Sequence, residues 1–598
     1  MKTIIKSIAV LMAMMLLAGC EAFLDTESYT ERNTGNFPST ETDAIQLITG
    51  VYSTLRIPVS DDPRASYFVT ANIASDECYA GGGADDGISH AMDFLLVNDY
   101  NAHQGLWKGY YKGIARANMA IANLDKVENE EMRNQLLGEA YFLRSLFYFE
   151  LAQLFGEIPV VNSVPTNVEE ASKYPGKSSI EEVYGTIAAG FKKAAEIMPS
   201  KKWNECISGL RHATRWDAEA LLARTYLFYT GFYSDKNGTS ITELPLVDLE
   251  TGELLAEGVT KADVVAKLED CIQNSGHSLV KDFRLQWPYT NSATKADYDY
   301  VKNIEGTWMT DEVNPESMFQ VACTHLGGEG EANRINQYVG IRKRSNYEKN
   351  GFPFSQGYGV MTACPQIYED WFKQEPNDIR RDASIWNVET EGNEYYTWGN
   401  DSQVQETGYW QKKYQAWGFL NEDYNNKFWK EFASIPEYGG TGLKDIDRKH
   451  SPQNLQIIRF ADVLLMHAEL TDGKVIYNGK NGLNAIRSRA GLNDVSYTVD
   501  NLRMERRHEL AFEGVRWGDM RRYGKEYCIA ALLTQKGGTI RHKGGAPEPQ
   551  KEYGSGWAQR YTETYGFFPI PQTEIDLAGG AMEQNPGWSG AGVLFSGF

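Results

Sequence analysis

The sequence predicts a mostly α-helical protein, a scaffold of tetratricopeptide-like helix pairs interrupted by a large loop-rich insertion. Two observations carry this. Before residue 281 and after residue 433, apolar residues recur at spacings of three and four, the pattern of helices with a buried face. Between them, residues 281–432 lose that period and hold eight of the 14 Trp, among many Gly, Asn and Tyr. At 598 residues the chain exceeds the size at which a single core keeps growing, which fits a scaffold with insertions.

Residues 1–19 read as an export signal: Lys2 and Lys6, then an apolar run from Ile8 to Leu17, shorter than the ~20 residues a spanning helix needs. Leu17-Ala18-Gly19-Cys20 is a lipoprotein processing site. Cys20 is therefore expected to become the first mature residue and to carry acyl chains sufficient for stable membrane attachment. Residues 20–40 form a lipidated tether. Residues 41–280 form an N-terminal helical region, entered by Thr40-Glu41-Thr42-Asp43 as a cap. Within it, Leu136, Ala140, Leu143, Phe147, Leu151 and Leu154 predict a helix over Glu130 to Phe155, ended by Gly156. A second helix spans Arg215 to Phe232, where Ala220 and Ala223 suit close packing. Residues 433–598 complete the scaffold with helices over Leu455 to Leu470 and Leu502 to Arg522. The ideal tetratricopeptide period is ~34 residues; the spacing here is irregular, so insertions separate the units.

Charge and motif content narrow the function. Removing Lys2 and Lys6 leaves 57 bases against 80 acids, a net charge near −23, which excludes nucleic acid as a partner. Cys78, Cys206, Cys271, Cys323, Cys364 and Cys528 form no CxxC, and the nine histidines form no HxH or HxxxH pair, which argues against local metal motifs. His508-Glu509-Leu510-Ala511-Phe512 lacks the second histidine of a zinc protease, and Gly587-Trp588-Ser589-Gly590-Ala591 lacks the last glycine of a nucleophile elbow. Gly357-Tyr358-Gly359 lacks the third glycine of a dinucleotide turn. No catalytic residue is assigned.

Binding signals are stronger. Sugars present flat C–H patches rimmed by hydroxyls, so a glycan site needs aromatic faces beside Asp, Asn, Gln or Arg. Trp287-Pro288-Tyr289 with Asn291, then Tyr298, Tyr300 and Trp308 with Asp311, supply that mixture. Asp76-Glu77-Cys78-Tyr79 before Gly81-Gly82-Gly83 offers a loop with an aromatic at its base. Trp398, Trp410, Trp417 and Trp429 are reserves.

Ordered motifs along the chain point to one family. They are Cys20 with Phe23-Leu24-Asp25, Ser75-Asp76-Glu77, Trp107 with Tyr110, and Arg144 to Tyr148 with Phe155-Gly156 and Ile158-Pro159-Val160. Later come Arg459 to Glu469, Glu505 to Trp517, Phe568-Pro569-Ile570-Pro571 and Gln584-Asn585-Pro586-Gly587. With these the chain resembles the SusD/RagB surface lipoproteins. The resemblance implies a SusD-like fold and a non-catalytic protein at the outer-membrane surface. Such a protein binds oligosaccharide or polysaccharide and delivers it to a SusC-like TonB-dependent transporter. It also implies ligand contacts from the two aromatic regions, expected at Tyr79, Trp287, Tyr289 and Trp308. The alternatives are a peptide-capturing RagB-like lipoprotein or a surface glycoside hydrolase. No cofactor is implied; a structural calcium is allowed, without ligands that the sequence names.

The late motifs read as architecture. Arg506 with Glu509, Glu513 with Arg516, and Arg516 with Asp519 are three apart and expected to pair along one helix face. Glu505, Glu509 and Glu513 are like charges that need intervening arginines, Arg459 among them.

Overall fold

The computed structural model describes residues 37–598 except 206–211, 311, 325, 327–329, 343–352, 355, 392–401, 416 and 418–450. Cys20, Cys206, Asp311, Trp398 and Trp429 lie outside the described residues.

Consecutive helices pack on one another in series: Gln104–Ile121, Glu130–Phe155, Ile180–Ile197, Arg215–Asn237 and Lys261–Asn274. This is the tetratricopeptide-like scaffold the periodicity predicts. Helix ends follow local chemistry. The Asn129 side chain accepts the Met132 N–H, and Gly156, at φ 73°, closes that helix. Thr214 with Asp217 and Thr260 with Asp263 form reciprocal caps at two later starts. Helices approach closely where glycine permits: a Cβ on Gly190 would press into Ser145 and lie 3.3 Å from the Tyr141 carbonyl.

Short two-stranded sheets join the scaffold to the insertion. Cys78–Ala80 runs antiparallel to Met361–Ala363, with Tyr79 opposite Thr362. Gln320–Val321 pairs with Leu455–Gln456, so the segment expected to begin a helix at Leu455 is strand first, and the helix starts at Phe460. The expected helix over Leu502 to Arg522 is two, Val499–Glu509 and Arg516–Arg522. Between them Phe512 and Gly514 adopt left-handed φ values of 63° and 74°. The Phe512 N–H, freed from the helix ladder, donates to Glu77 Oε2 at 2.8 Å, and that buried bond offsets a backbone cost of about 1 kcal/mol.

Where scaffold and insertion meet lies a buried ion network. Arg459 Nη1 reaches Glu509 and Glu316, each at 2.6 Å, and its Nε reaches Glu513 at 2.8 Å. Arg380 bridges Glu505 at 2.5 Å and Glu509 at 2.9 Å, and Asp378 at 2.7 Å. The three-apart pairing expected on one helix is not what forms. Arg506 instead reaches Asp462 at 2.6 Å and Asp519 at 2.9 Å, and Arg516 reaches Asp76 at 2.7 Å. With Glu509 and Glu513 already held by Arg380 and Arg459, the buried guanidiniums take carboxylates from other segments. Only the Arg459 expectation carries over.

Candidate functional site

All four aromatics expected to meet ligand are buried. Tyr79 has no exposed surface; it packs with Cys364 and Ile540 and donates from its hydroxyl to the Gln535 carbonyl at 2.6 Å. Trp287 meets Phe283 and Tyr414 edge-on, Tyr289 donates to the Ala383 carbonyl at 2.7 Å, and Trp308 lies 5.9 Å from the Trp417 ring. The reserves Trp410 and Trp417 are buried as well.

Two consecutive lysines explain much of this. Just past the strand that ends at Gln411, Lys412 and Lys413 each enter a separate aromatic chamber. Lys412 Nζ donates to Glu391 at 2.5 Å and to the Asp382 carbonyl at 2.5 Å, and lies 4.4 Å from the Tyr300 ring centre. Tyr289, Tyr298 and Phe354 surround it at 5.7–6.0 Å. Lys413 Nζ donates to Glu513 at 2.8 Å and lies 5.0 Å from both the Phe283 and Trp287 rings. Burial pulls the Lys413 ammonium below its usual value, against the Glu513 charge that raises it. Ring faces supply the electrostatic contact that water would otherwise give. The Trp287 and Tyr289 rings, expected to meet ligand, are thus buried and occupied from within. The signal was present as Gln411-Lys412-Lys413-Tyr414, two lysines inside an aromatic stretch.

A different aromatic pair lies at the glycine loop that follows Tyr79. The Gly81 N–H donates to the Val360 carbonyl at 2.9 Å, extending the pairing of Cys78–Ala80, and the Val404 N–H donates to the Gly82 carbonyl at 2.9 Å. Gly82 needs its freedom, with φ of 80°. Across from the loop, Ile341–Arg342 runs parallel to Gln356–Gly357, with Tyr338 and Tyr358 on the two flanking segments. Their rings are 5.6 Å apart at 75°, and both residues are half-buried. Gln337 Nε2 donates to the Tyr358 hydroxyl at 2.8 Å, fixing the ring.

Charges of both signs surround the pair. Burial raises the Tyr338 phenol above its usual value, while Arg64 and Arg334 pull it down and Asp62 pushes it up. Asp86 accepts the Gly83 N–H at 2.9 Å and lies 4.0 Å from Arg64; burial raises its carboxyl, and Asp85 adds to that. A Cβ on Gly83 would lie 2.8 Å from Arg342 Nη1 and 2.5 Å from Asp85 Oδ1, so both side chains crowd the bare loop. The Gln403 amide is buried between Gly81 and Gly359, and its Nε2 has no hydrogen-bond partner. Aromatic faces beside guanidinium, carboxylate and amide groups suit a polyhydroxylated ring.

Tyr368 and Tyr409, a second half-buried pair with ring centres 4.9 Å apart, are less open: the Arg381 guanidinium lies 5.3 Å over Tyr368 and 4.9 Å over the neighbouring Phe372. Among the described residues no cluster of three or more His, Cys, Asp or Glu is placed to hold a metal ion, and no helix is long and apolar enough to cross a membrane. The sequence reading reached the Gly81-Gly82-Gly83 loop but missed Tyr338 and Tyr358. The latter sits in Gly357-Tyr358-Gly359, where the flanking glycines admit the close backbone approach that presents the ring; a Cβ on Gly357 would lie 2.6 Å from Gly340 Cα.

Comparison with known proteins is consistent along the chain. Residues 22–227 match a family profile described as starch-binding associating with outer membrane, and residues 326–588 match one described as SusD family. A SusD-like protein of Formosa agariphila is 22% identical over 513 residues, covering 83% of each chain. A laminarin-binding SusD-like protein of known structure superposes with a TM-score of 0.63 at 21% identity, covering 92% of this chain and 100% of its own. Surface glycan-binding protein A from Bacteroides thetaiotaomicron, in complex with laminarihexaose, superposes at 0.62 with 18% identity, covering 91% and 99%.

Proposed function

Because the chain belongs to the SusD/RagB family, we propose that it is a non-catalytic glycan-binding lipoprotein of the outer-membrane surface. It captures an oligosaccharide or polysaccharide and passes it to a SusC-like TonB-dependent transporter. The carrying observation is the half-buried Tyr338–Tyr358 pair, set between Arg64, Arg334 and Arg342 on one side of the charge balance and Asp62, Asp85 and Asp86 on the other. Rings take the C–H face of a sugar, and the mixed charges take its hydroxyls without favouring an ionised ligand. The similar structures described as binding laminarin and laminarihexaose support a glycan as the ligand class. Cys20 supplies the anchor, and its lipidation is tested by metabolic labelling with a fatty acid in the parent and in Cys20→Ala.

The test is calorimetry of the soluble form starting at Glu21 against laminarihexaose and a polysaccharide panel, with reducing ends assayed in parallel. Saturable binding without new reducing ends, weakened about tenfold by Tyr338→Ala, is the expected result. New reducing ends would make the protein a surface glycoside hydrolase. Silence toward every glycan with binding of peptides would make it a RagB-like peptide receptor. Delivery predicts that a transporter of the TonB-dependent class co-purifies from detergent-extracted membranes.

A further inference from the structure

We infer that the segment Val593–Phe598 is a strap that sets the position of the glycine loop at the candidate site, through His90 and Phe598 as positioning residues. The inference rests on the glycan-binding reading only for its consequence on affinity. Three consecutive glycines have no side chains with which to hold their own shape, and their backbone freedom is the largest of any residue. Order at Gly81-Gly82-Gly83 must come from neighbours.

His90 is the nearest such neighbour beyond the strand contacts. It sits on the helix Gly87–Asp93 that directly follows the loop, and its Nε2 is 2.7 Å from the Gly81 carbonyl. A carbonyl oxygen only accepts, so Nε2 carries the proton and donates. Burial pushes the imidazole down to about 4; His542 and Lys543 also lower it, and the Gly81 bond and Asp85 oppose them. The ring is therefore neutral through the ordinary pH range.

The strap fixes where that ring stands. Phe598 meets His90 edge-on with ring centres 5.0 Å apart, and Phe595 does so at 6.3 Å. Phe598 also contacts Tyr553 at 5.2 Å and His542 at 5.1 Å. The backbone is pinned by Val97, whose N–H donates to the Val593 carbonyl at 3.0 Å and whose carbonyl accepts the Phe595 N–H at 2.8 Å. A second route runs to the other side of the site. Beside His542, the Lys543 N–H donates to the Gln403 carbonyl at 2.7 Å, and Arg541 exchanges backbone hydrogen bonds with Glu406 at 2.7 and 3.0 Å. One aromatic cluster thus reaches both Gly81 and Gln403, each of which adjoins Gly359 at the base of the candidate site.

Hydrogen exchange of the Gly81 and Gly83 amides in the soluble protein tests this. Phe598→Ala, and His90→Phe, which keeps a ring but removes the donor, should each speed exchange at those amides on the order of tenfold while the melting temperature changes little. His90→Gln, which can still donate, should restore part of the protection. If the protein binds laminarihexaose, affinity should fall with the lost protection. Unchanged exchange at the loop would overturn the inference. So would equal acceleration through Cys78–Ala80 and Met361–Ala363, which reports general loosening. Local acceleration in a protein that binds no glycan before or after substitution would leave the strap standing and refute the functional reading instead.

Discussion

The helical scaffold holds buried ion pairs such as Arg506 with Asp462, yet it also buries acids that keep their protons, which the aromatic insertion does not match. In the scaffold, Glu150 has the Tyr110 hydroxyl as its hydrogen-bond donor, and burial pushes its carboxyl up to about 7. Glu219 is likewise pushed up to about 7 by burial, even with Lys267 and Arg215 beside it. At the seam with the insertion, burial would raise Glu509 too, yet Arg489, Arg459 and Arg380 together hold it well below its usual value. Within the insertion, Lys412 and Lys413 remain buried beside carboxylates and ring faces. A helix satisfies its own backbone and tolerates an acid that keeps its proton. Irregular chain has no such lattice, so the insertion is located by charged, directional contacts that lose their worth if one member is removed.

The largest break in that comparison is Arg459→Met. It removes the shared partner of Glu316, Glu509 and Glu513 and leaves carboxylates underpaired in the interior, which should cost roughly 3–5 kcal/mol. Urea unfolding measures it directly. A loss below about 1 kcal/mol would mean that the remaining arginines absorb the change and that the network is redundant.

Next in size is the scaffold's response to pH. For Glu150 the folded carboxyl titrates near 7 against an unfolded value near 4.5. Below 4.5 both states hold the proton and the group contributes nothing. Above that the unfolded state ionises first, so folding loses stability between about pH 4.5 and 7 and the cost is constant beyond. Glu150→Gln removes the titration while keeping an acceptor for Tyr110. It should stabilise the protein by on the order of 2 kcal/mol at pH 8 and by little at pH 4. Glu150 lines a cavity of about 60 Å³ together with Gln153 and Leu227. Glu509 runs the other way: its folded value is depressed, so its contribution is present at neutral pH and is lost only as pH falls below the usual carboxylate range. Equal stabilisation by Glu150→Gln at both pH values would show that the carboxyl titrates in the fold as it does in the unfolded chain.

These contrasts mark what the sequence could and could not disclose. Periodicity and Gly156 make the helix Glu130–Phe155 legible because its ends are set locally, by Asn129 at one end and Gly156 at the other. The break at Phe512 was illegible because the carboxylate that receives its N–H belongs to Glu77, far away in sequence. Partners of Arg506 and Arg516 were misjudged for the same reason, since helical spacing ranks near neighbours and says nothing about Asp462 or Asp76. At the candidate site, composition singled out the Gly81-Gly82-Gly83 loop together with rings that the structure buries. Aromatic density is equally good material for a core, and which side of a ring faces out depends on where Lys412 and Lys413 point.

At the candidate site, Tyr338→Ala should weaken glycan binding about tenfold and change stability by no more than about 0.5 kcal/mol, because the ring is only half-buried and its removal leaves no buried donor. Calorimetry and urea unfolding on one preparation separate the two effects.

The smallest and most discriminating change is Tyr289→Phe. It deletes the hydroxyl that donates to the Ala383 carbonyl but keeps the ring beside Lys412, at 6.0 Å from the ammonium. One buried neutral hydrogen bond is lost, so stability should fall by about 1 kcal/mol. Glycan affinity should not move, since the whole side chain faces inward. The pair of variants then forms a crossed result, with binding lost at Tyr338 without stability and stability lost at Tyr289 without binding. A fall in affinity for Tyr289→Phe would return that ring to the ligand site and would mean that the Lys412 chamber opens when sugar binds.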